Sequence, residues 1–249
     1  MLPFSESQME INIISGRQSK AGRIVLHGAA GVGKTTLAAS LGKALIVPTE
    51  EGSNHLDVDR LPLCKSYKQI VDSLKWTYDN LKSGEIDHDV VVLDSIDWAE
   101  IMVEQDLEKE MFDQSYGKGA IEIGSRVGRL LRGLDAINGL GVKIVVIAHS
   151  EMKSVELAEG GAYSRWQPKL SKRSNARLQE WSDAIGYCQV EVRVREENTG
   201  FSKRGVGVGT GRRIVSFNPS PSYVAKVRTA ADVPNAIDMS DLDSVLKVL

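Results

Sequence analysis

Nine consecutive residues near the beginning of the chain have the types and spacing of a phosphate-binding loop. Residues 28–35 match the pattern G-x-x-x-x-G-K-[ST] at every fixed position, and Thr36 follows it. Gly28 and Gly33 are expected to adopt backbone angles closed to other residues, so that successive N–H groups turn toward phosphate oxygens. This pattern predicts a site for a nucleoside triphosphate. The residues assigned to it are Gly28, Ala29, Ala30, Gly31, Val32, Gly33, Lys34, Thr35 and Thr36.

Two side chains of this loop have chemical tasks, and a third residue completes the site. Lys34 is expected to contact the β- and γ-phosphates, and the Thr35 hydroxyl to hold Mg²⁺. Further along the chain, four apolar residues lead into Asp94 and Ser95, which is typical of a buried strand ending in a carboxylate. Downstream of a phosphate loop, this pattern predicts that Asp94 holds Mg²⁺ through its water shell.

Two other predicted strands also end in polar residues. Carboxyl ends of parallel strands face the ligand crevice of an α/β sheet, so Glu50 and Glu51 follow a strand where chemistry occurs. One of them is expected to polarise an attacking water, with Glu50 preferred, and a simple acidic loop is the alternative. His149 ends a later apolar run and is expected to sense the γ-phosphate. The alternative for His149 is an ordinary hydrogen-bonded histidine at a strand end.

These residues require a sheet and helices to position them. Apolar runs bounded by polar residues predict buried strands, and helical spacing predicts helices between them. Gly-, Asn- and Ser-rich turns separate alternating segments near the C-terminus, which predicts antiparallel strands at one edge, beginning at Val190, over 213–217 and over 223–228. The expected fold is α/β, with a mostly parallel central sheet, helices on both faces and C-terminal antiparallel hairpins. We expect an arm over 1–22 and a single domain over 23–249. The predicted helices are 37–41, 66–82, 98–112, 120–137, a short one near 178–185 and 240–249.

Composition limits the class of protein. The chain has 249 residues, 42% hydrophobic and 26% charged, with a net charge of −2, which is ordinary for a globular domain. No apolar run approaches a membrane span or a signal-peptide core. Cys64 and Cys188 stand far apart without metal-ligand spacing, which favours buried reduced thiols. These features predict a cytoplasmic protein without a membrane contact.

The charge is unevenly distributed. Residues 161–230 contain 13 Lys and Arg against 5 Asp and Glu. Residues 151–178, which overlap this region, are expected to form a mobile loop in which basic residues alternate with Tyr163 and Trp166. Such a segment suits a phosphate backbone with stacked bases, while solvated cations are the alternative. The residues assigned to DNA are Lys118, Arg165, Trp166, Lys169, Lys172, Arg173 and Arg177.

The order of these parts resembles the RecA-type ATPase core. The resemblance covers about 22–230 and includes the stretch Ser174–Ser182, which is similar to the segment after the second DNA loop of RecA. The closing Ala225-Lys226-Val227-Arg228 and the compact length resemble small phage-encoded RecA-like ATPases of single-strand annealing and recombination. The resemblance implies Mg²⁺-dependent ATP hydrolysis, in the host cytoplasm if the chain is phage-encoded.

The resemblance also implies residue roles and partners. Glu50 matches the catalytic carboxylate, with Glu51 as the fallback, and His149 matches the residue that links the γ-phosphate to the DNA loop. Lys226 and Arg228 match basic fingers that reach the γ-phosphate of a neighbouring subunit. Residues 117–119 fall where a first DNA loop is expected. The expected partners are single-stranded DNA, further copies of the chain in a ring or filament, and a single-strand binding protein.

Two other functions fit the same motifs. A replicative-helicase-like motor would couple the site to translocation along DNA. A nucleotide-dependent switch would bind a protein partner and hydrolyse little ATP. Strand-displacement assays distinguish the motor from an annealing protein, and DNA-stimulated phosphate release distinguishes both from the switch.

Overall fold

The computed structural model describes residues 15, 22–110, 118–157, 159–198, 203–228 and 232–249, with the side chains of 109–110, 193–198 and 203–208 left aside. The arm predicted over 1–22 lies outside these residues apart from residues 15 and 22, and so does Gly117 of the predicted first DNA loop. The helices are α1 Lys34–Ala39, α2 Tyr67–Ser83, α3 Ile96–Glu110, α4 Lys118–Asn138, α5 Lys172–Trp181 and α6 Leu242–Val248.

The described strands form one large sheet whose centre is parallel. The strands are β1 Arg23–Gly28, β2 Ala44–Pro48, β3 Asp59–Arg60, β4 Val90–Asp94, β5 Lys143–Glu156, β6 Ala162–Pro168, β7 Ala184–Asn198, β8 Lys203–Ser216, β9 Lys226–Val227 and β10 Ile237–Asp238. Their order is β10-β8-β7-β1-β5-β4-β2-β3, and every pair from β7 to β3 is parallel. β8 pairs antiparallel with both β7 and β10, β9 pairs with β7, and β6 forms a hairpin with β5.

Apolar side chains bury both faces of this sheet. On one face, α2, α3, α4 and α5 pack against alternate strand residues such as Val25 and Val91. On the other face, α1 and α6 cover the intervening residues, including Ile24 and Val92. The parallel strands are buried on both sides, which explains their continuous apolar runs. The predicted α/β architecture with helices on both faces is therefore confirmed. Cys64 and Cys188 are free, buried and packed in opposite face clusters.

The prediction of a mobile loop over 151–178 was wrong. Residues 151–156 continue β5 beyond the sheet, 162–168 return as β6, and α5 begins at Lys172. The register pairs Met152 with Trp166 and Lys153 with Arg165, so a regular two-stranded hairpin replaces the loop. Glycines 160 and 161, both with positive φ, supply its turn, a conformation that glycine adopts without strain.

Differences at the C-terminus also have physical causes. Ile185 belongs to β7 rather than to a short helix, because its backbone pairs with Val25 of β1. β7 and β8 form one long hairpin in place of several short strands. The strand predicted over 223–228 is reduced to two residues, Lys226 and Val227, which pair with the beginning of β7.

Candidate active site

The phosphate-binding loop joins β1 to α1 at the carboxyl edge of the parallel strands. Gly31 and Gly33 have φ of +73° and +96°, which residues with a Cβ rarely adopt. The same expectation for Gly28 was wrong, because Gly28 is the last residue of β1 and does not have a positive φ. A Cβ atom there would lie 2.2 Å from the carbonyl oxygen of Cys188 on the neighbouring β7. Gly28 is therefore required for the close approach of two backbones.

Lys34 is held within the loop by the loop's own carbonyl groups. Its Nζ atom donates to the oxygens of Gly28 at 3.1 Å and Ala29 at 2.9 Å. Only 6% of the residue is exposed, and this burial lowers the pKa of its ammonium group. The positive charge is thus fixed inside the loop, where a bound phosphate would be enclosed.

Thr35 and Asp94 bring the ends of two elements together. The Thr35 hydroxyl donates to Oδ2 of Asp94 at 2.8 Å. Asp94 is 5% exposed, and burial raises the pKa of its carboxyl group to about 6. Its peptide bond to Ser95 is cis. A hydroxyl and a carboxylate at this separation are the hard oxygen donors that Mg²⁺ prefers, so the pair fits that ion.

No larger metal centre is found in the described part of the chain. No three His, Cys, Asp or Glu side chains there are grouped to hold a metal ion. A site with one carboxylate and one hydroxyl suits Mg²⁺, which usually keeps several waters and takes further ligands from substrate phosphates.

A cleft of about 380 Å³ opens beside the loop and contains the residues predicted for catalysis. Both Glu50 and Glu51 line it, so the cleft accommodates either as the catalytic carboxylate. Glu50 is the more enclosed, with a side chain 23% exposed and Oε1 3.9 Å from the His149 ring. The other lining residues are Ala30, Gly31, Gly33, Lys34, Thr35, Thr36, Gly52, His55, Asp94, Ile147, His149 and Arg213.

The sensor candidate His149 is held by a residue that sequence reasoning missed. Asp97, in the first turn of α3, accepts from the backbone N–H of His149 at 3.0 Å and lies 2.8 Å from its Nδ1 atom. This hydrogen bond raises the pKa of His149. Burial alone would raise the pKa of Asp97, but its contacts with His149 hold that pKa below the usual value. The only sequence signal was a second carboxylate three residues after Asp94.

Arg213 of β8 is a second residue that sequence reasoning missed. Its Nη1 atom lies 3.1 Å from where a Cβ of Gly33 would be, so the side chain lies against the phosphate-binding loop. Arg213 also lines a neighbouring cavity of about 330 Å³, together with Thr36 of α1 and Ser40, the residue that follows α1. Gly33 and Thr36 line both cavities, so the two cavities lie side by side along the phosphate-binding loop. No local pattern predicts this, because the pairing of β8 with β7 brings Arg213 to the loop.

The predicted basic fingers lie at the opposite end of the strands from the cleft. β9 pairs with Ala184 and Ile185, and Ala184 pairs with Ile24 at the beginning of β1. Gly28 lies four residues further along β1, roughly 13 Å away. Lys226 donates to the carbonyl oxygens of Gln179 and Ser182, both at 2.6 Å.

The second finger, Arg228, also contacts its own chain. It pairs with Asp183 at 3.2 Å and donates to the carbonyl oxygen of Glu180 at 3.3 Å. Both fingers therefore contact the end of α5 and the residues after it, and neither reaches the cleft of its own chain.

The residues predicted to bind DNA are divided between the hairpin and two helices. Lys118 is exposed at the start of α4, and Lys169 and Lys172 are exposed around the start of α5. Arg173 and Arg177 cross the α4–α5 contact, where they pack over Gly124 and Gly128 respectively. Arg177 also donates to the carbonyl oxygen of Gly124. The two arginines thus have a packing role in addition to any ligand contact.

A third arginine joins this contact. Nη1 of Arg132 lies 3.8 Å from the Cβ position of Gly128, near Arg177. No carboxylate pairs with Arg132, Arg173 or Arg177 in the described part of the chain. We call these three the arginine cluster. Unneutralised like charges in one place favour binding of a polyanion.

The two faces of the β5–β6 hairpin differ. Arg165, Lys153 and Tyr163 share one face, whereas Trp166 and Met152 share the other. Tyr163 and Trp166 therefore lie on opposite faces of the hairpin and do not form one stacking surface. The Nε atom of Arg165 is buried and has no hydrogen-bond partner among the described residues. The face with Arg165 combines two cations with an aromatic ring.

Comparison with known proteins places this site in a family context. A family model described as an AAA domain matches residues 20–229. Among solved structures, a KaiC-like protein of the hyperthermophilic archaeon Pyrococcus horikoshii is similar, at 14% identity and a TM-score of 0.41, over 79% of each chain. No curated protein sequence matches the chain significantly. No helix in the described part is long and apolar enough to cross a membrane.

Proposed function

The chain belongs to the AAA domain family, and from that premise we propose that it is an Mg²⁺-dependent ATPase that binds single-stranded DNA and promotes strand annealing in homologous recombination. One observation carries the nucleotide part of the proposal. Lys34, Thr35, Asp94 and Glu50 come from three separate strand ends and line one cleft. This is the set of groups that phosphoryl transfer from a nucleotide requires.

The chain's own residues account for the steps of hydrolysis. Glu50 accepts a proton from the attacking water. At the same time the oxygen of that water bonds to the γ-phosphorus, and the bond between the γ-phosphorus and the bridging β–γ oxygen breaks, so that ADP leaves. Lys34 neutralises charge on the β- and γ-phosphate oxygens. Thr35 and Asp94 would hold Mg²⁺, which would supply further neutralisation of charge on the phosphate oxygens. His149, oriented by Asp97, lies close enough to Glu50 to respond to loss of the γ-phosphate.

The second cavity offers a place for the nucleoside part of ATP. It adjoins the phosphate cleft at Gly33 and Thr36, beyond which Ser40 and Met239 line its wall. A ligand that occupies both cavities would extend past the guanidinium group of Arg213. That cation is therefore assigned to the nucleotide phosphates, in the same subunit.

The DNA part of the proposal is supported by charge and connectivity. The arginine cluster, Lys169 and Lys172 surround the start of α5, and the backbone N–H of Lys169 donates to the carbonyl of His149 at 2.8 Å. Cations without carboxylate partners attract a phosphate backbone, and an aromatic ring on the hairpin provides a stacking surface. The connection to His149 links this surface to the γ-phosphate.

We also propose assembly into a ring or filament, which the position of Lys226 and Arg228 supports. These cations lie at the strand ends opposite the cleft, so they would reach a nucleotide in a neighbouring subunit rather than their own. A single-strand binding protein remains a proposed partner on the resemblance alone.

The test is DNA binding by a variant with Lys169→Gln, Lys172→Gln and Arg173→Gln. Glutamine retains most of the aliphatic stem of Arg173, which packs over Gly124. Fluorescence anisotropy with a labelled single strand is measured over a range of salt in ATP and in ADP. We expect weaker binding and a salt slope lower by up to about 0.7 for each lost phosphate contact. Basal ATP hydrolysis should persist, and its stimulation by DNA should be lost.

A control variant makes the same change in charge elsewhere. Lys65→Gln, Lys68→Gln and Lys75→Gln remove three exposed cations at and near α2. The control should bind DNA and hydrolyse ATP like the unmodified protein. Equal affinity and salt slope in the two variants would overturn the proposed DNA surface. Annealing of complementary strands without displacement of a paired strand would favour annealing over a helicase-like motor.

A further inference from the structure

The first two turns of α3 contain two buried carboxylates, Asp97 and Glu100, that contact different parts of the molecule. Asp97 holds the backbone and ring of His149, as described above. Glu100, three residues later, accepts from the backbone N–H and the hydroxyl of Ser171, each at 2.8 Å. Both carboxylate residues are 5% exposed. Because α3 begins two residues after Asp94, its first two turns connect the proposed Mg²⁺ site to the start of α5.

Glu100 supplies the cap that α5 lacks. Ser171 occupies the N-cap position, but its side chain makes no capping hydrogen bond within the helix. Its hydroxyl donates to Glu100 instead, and the carboxylate lies at the helix end where free N–H groups favour a negative charge. A buried carboxylate is costly unless it is paired or hydrogen-bonded. No cation pairs with Glu100 among the described residues, so these contacts with Ser171 are what compensates its charge.

The turn before α5 is held at a second point. The backbone N–H of Lys169 donates to the carbonyl of His149 at 2.8 Å, and Ser171 is held by Glu100. Residues 169–171 are therefore fixed between the sensor strand β5 and helix α3. α5 then carries Lys172 and two members of the arginine cluster toward the solvent.

We infer that Asp97 and Glu100 are positioning residues that together couple the phosphate cleft to the basic helix α5. When the γ-phosphate is lost and the ligand held at Asp94 changes, the start of α3 shifts. Glu100 then moves the N-terminus of α5 with it. The cations on α5 then present a different surface to a nucleic acid. This inference rests on the proposed function for the identity of the two ligands, a nucleotide and a single strand of DNA.

The test compares Glu100→Ala with the unmodified protein in two nucleotide states. DNA affinity is measured with Mg²⁺ and either a non-hydrolysable ATP analogue or ADP. The unmodified protein should bind DNA about 5-fold or more tightly in one state than in the other, the usual lower range for coupled sites. Glu100→Ala should reduce this ratio to about 1, while basal ATP hydrolysis is retained.

Hydrogen exchange gives a readout that does not require DNA. Exchange of the backbone amides of 171–178 is compared in the same two nucleotide states. The unmodified protein should show a change in exchange across the first turns of α5, and Glu100→Ala should abolish that change. Glu100→Gln, which keeps an oxygen acceptor without the charge, should retain part of it. Glu108→Ala is the control, because Glu108 is exposed on the same helix and should leave the response intact.

The outcomes separate the inference from the proposed function. If α5 does not respond to nucleotide in the unmodified protein, or responds equally in Glu100→Ala, the coupling is overturned. If α5 responds through Glu100 but no DNA binds, the coupling stands and the proposed DNA function fails. A melting temperature measured for each variant identifies a loss of folding, in which case the comparison rests on Glu100→Gln and Glu108→Ala.

Discussion

The Nζ atom of Lys226 lies 2.6 Å from the carbonyl oxygen of Gln179 and ties the short strand β9 to the last turn of α5. The final carbonyl groups of a helix lack partners within the helix, and a lysine side chain satisfies them. The proposed role of Lys226 across a subunit interface would require this contact to open or to be shared. The capping role is tested by the free energy of unfolding, and the role across the interface is tested by ATP hydrolysis in mixed subunits.

Lys226→Met should lower the free energy of unfolding by about 1–3 kcal/mol, because hydrogen bonds from a charged donor contribute amounts of that order. Urea unfolding of dilute protein measures this effect. Arg228→Ala is the comparison, since its exposed pair with Asp183 should contribute about 1 kcal/mol or less. Equal stability of Lys226→Met and the unmodified protein would contradict the capping role.

Complementation tests the role across an interface. Subunits with Lys34→Ala lack the phosphate-binding cation, and subunits with Lys226→Met lack the finger. A mixture should hydrolyse ATP where a Lys226→Met subunit supplies the cleft and its Lys34→Ala neighbour supplies Lys226. Activity should be highest at an intermediate mixing ratio, because each component alone is inactive, and it should rise with total protein concentration. A mixture as inactive as its two components would show that Lys226 does not contribute to the active site of a neighbouring subunit.

Glu50→Gln should bind ATP with nearly normal affinity and lose hydrolysis by about 10²–10⁴-fold, the usual contribution of a general base. Glu51→Gln is the matched control, because Glu51 lines the same cleft but is exposed. Nucleotide affinity and phosphate release are measured for both variants. Loss of hydrolysis in Glu51→Gln alone would assign the role of general base to Glu51. Normal hydrolysis in both variants would show that neither residue has this role.

Arg213→Ala should weaken nucleotide binding by about 10-fold, since a phosphate loses one cation worth roughly 1.5 kcal/mol, with a smaller change in kcat. Arg129→Ala is the control, because Arg129 is an exposed arginine of α4 that pairs with Glu122 and lines neither cavity. KM and kcat for ATP hydrolysis provide the comparison. Equal KM values in the two variants would indicate that Arg213 does not contact the nucleotide.

The buried ring of His27 should make the fold sensitive to acid. Burial lowers its pKa from 6.5 to about 4, and its nitrogens contact Ser150 and the Val224 carbonyl. Between these two pKa values the unfolded chain binds a proton that the folded chain does not bind. Stability therefore falls as pH decreases through this window, by about 2 kcal/mol from pH 7 to pH 5 for this group.

The measurement for His27 is the pH dependence of stability rather than stability itself. His27→Gln should reduce the difference in free energy of unfolding between pH 7 and pH 5 by about 2 kcal/mol relative to the unmodified chain. His55→Gln, which changes an exposed histidine, should leave that difference unchanged. An unchanged difference in both variants would show that His27 does not contribute to the acid response.

Features that depend on neighbours along the chain could be predicted from the sequence alone. The phosphate-binding loop is nine consecutive residues, and Asp94 and His149 each end a continuous apolar run. In a parallel sheet all such strand ends meet at one edge, so their convergence on one cleft follows from local patterns. The α/β architecture was predictable for the same reason.

The tertiary structure decided what depends on pairing between distant segments. Arg213 reaches the loop through the pairing of β8 with β7, Asp97 reaches His149 across 52 residues, and the hairpin at 150–168 forms because β6 returns along β5. It also decided that Gly28 is required by the backbone of Cys188 and that Lys226 caps α5. None of these contacts has a local signal, because register between strands is determined by the whole buried face rather than by the few residues that touch.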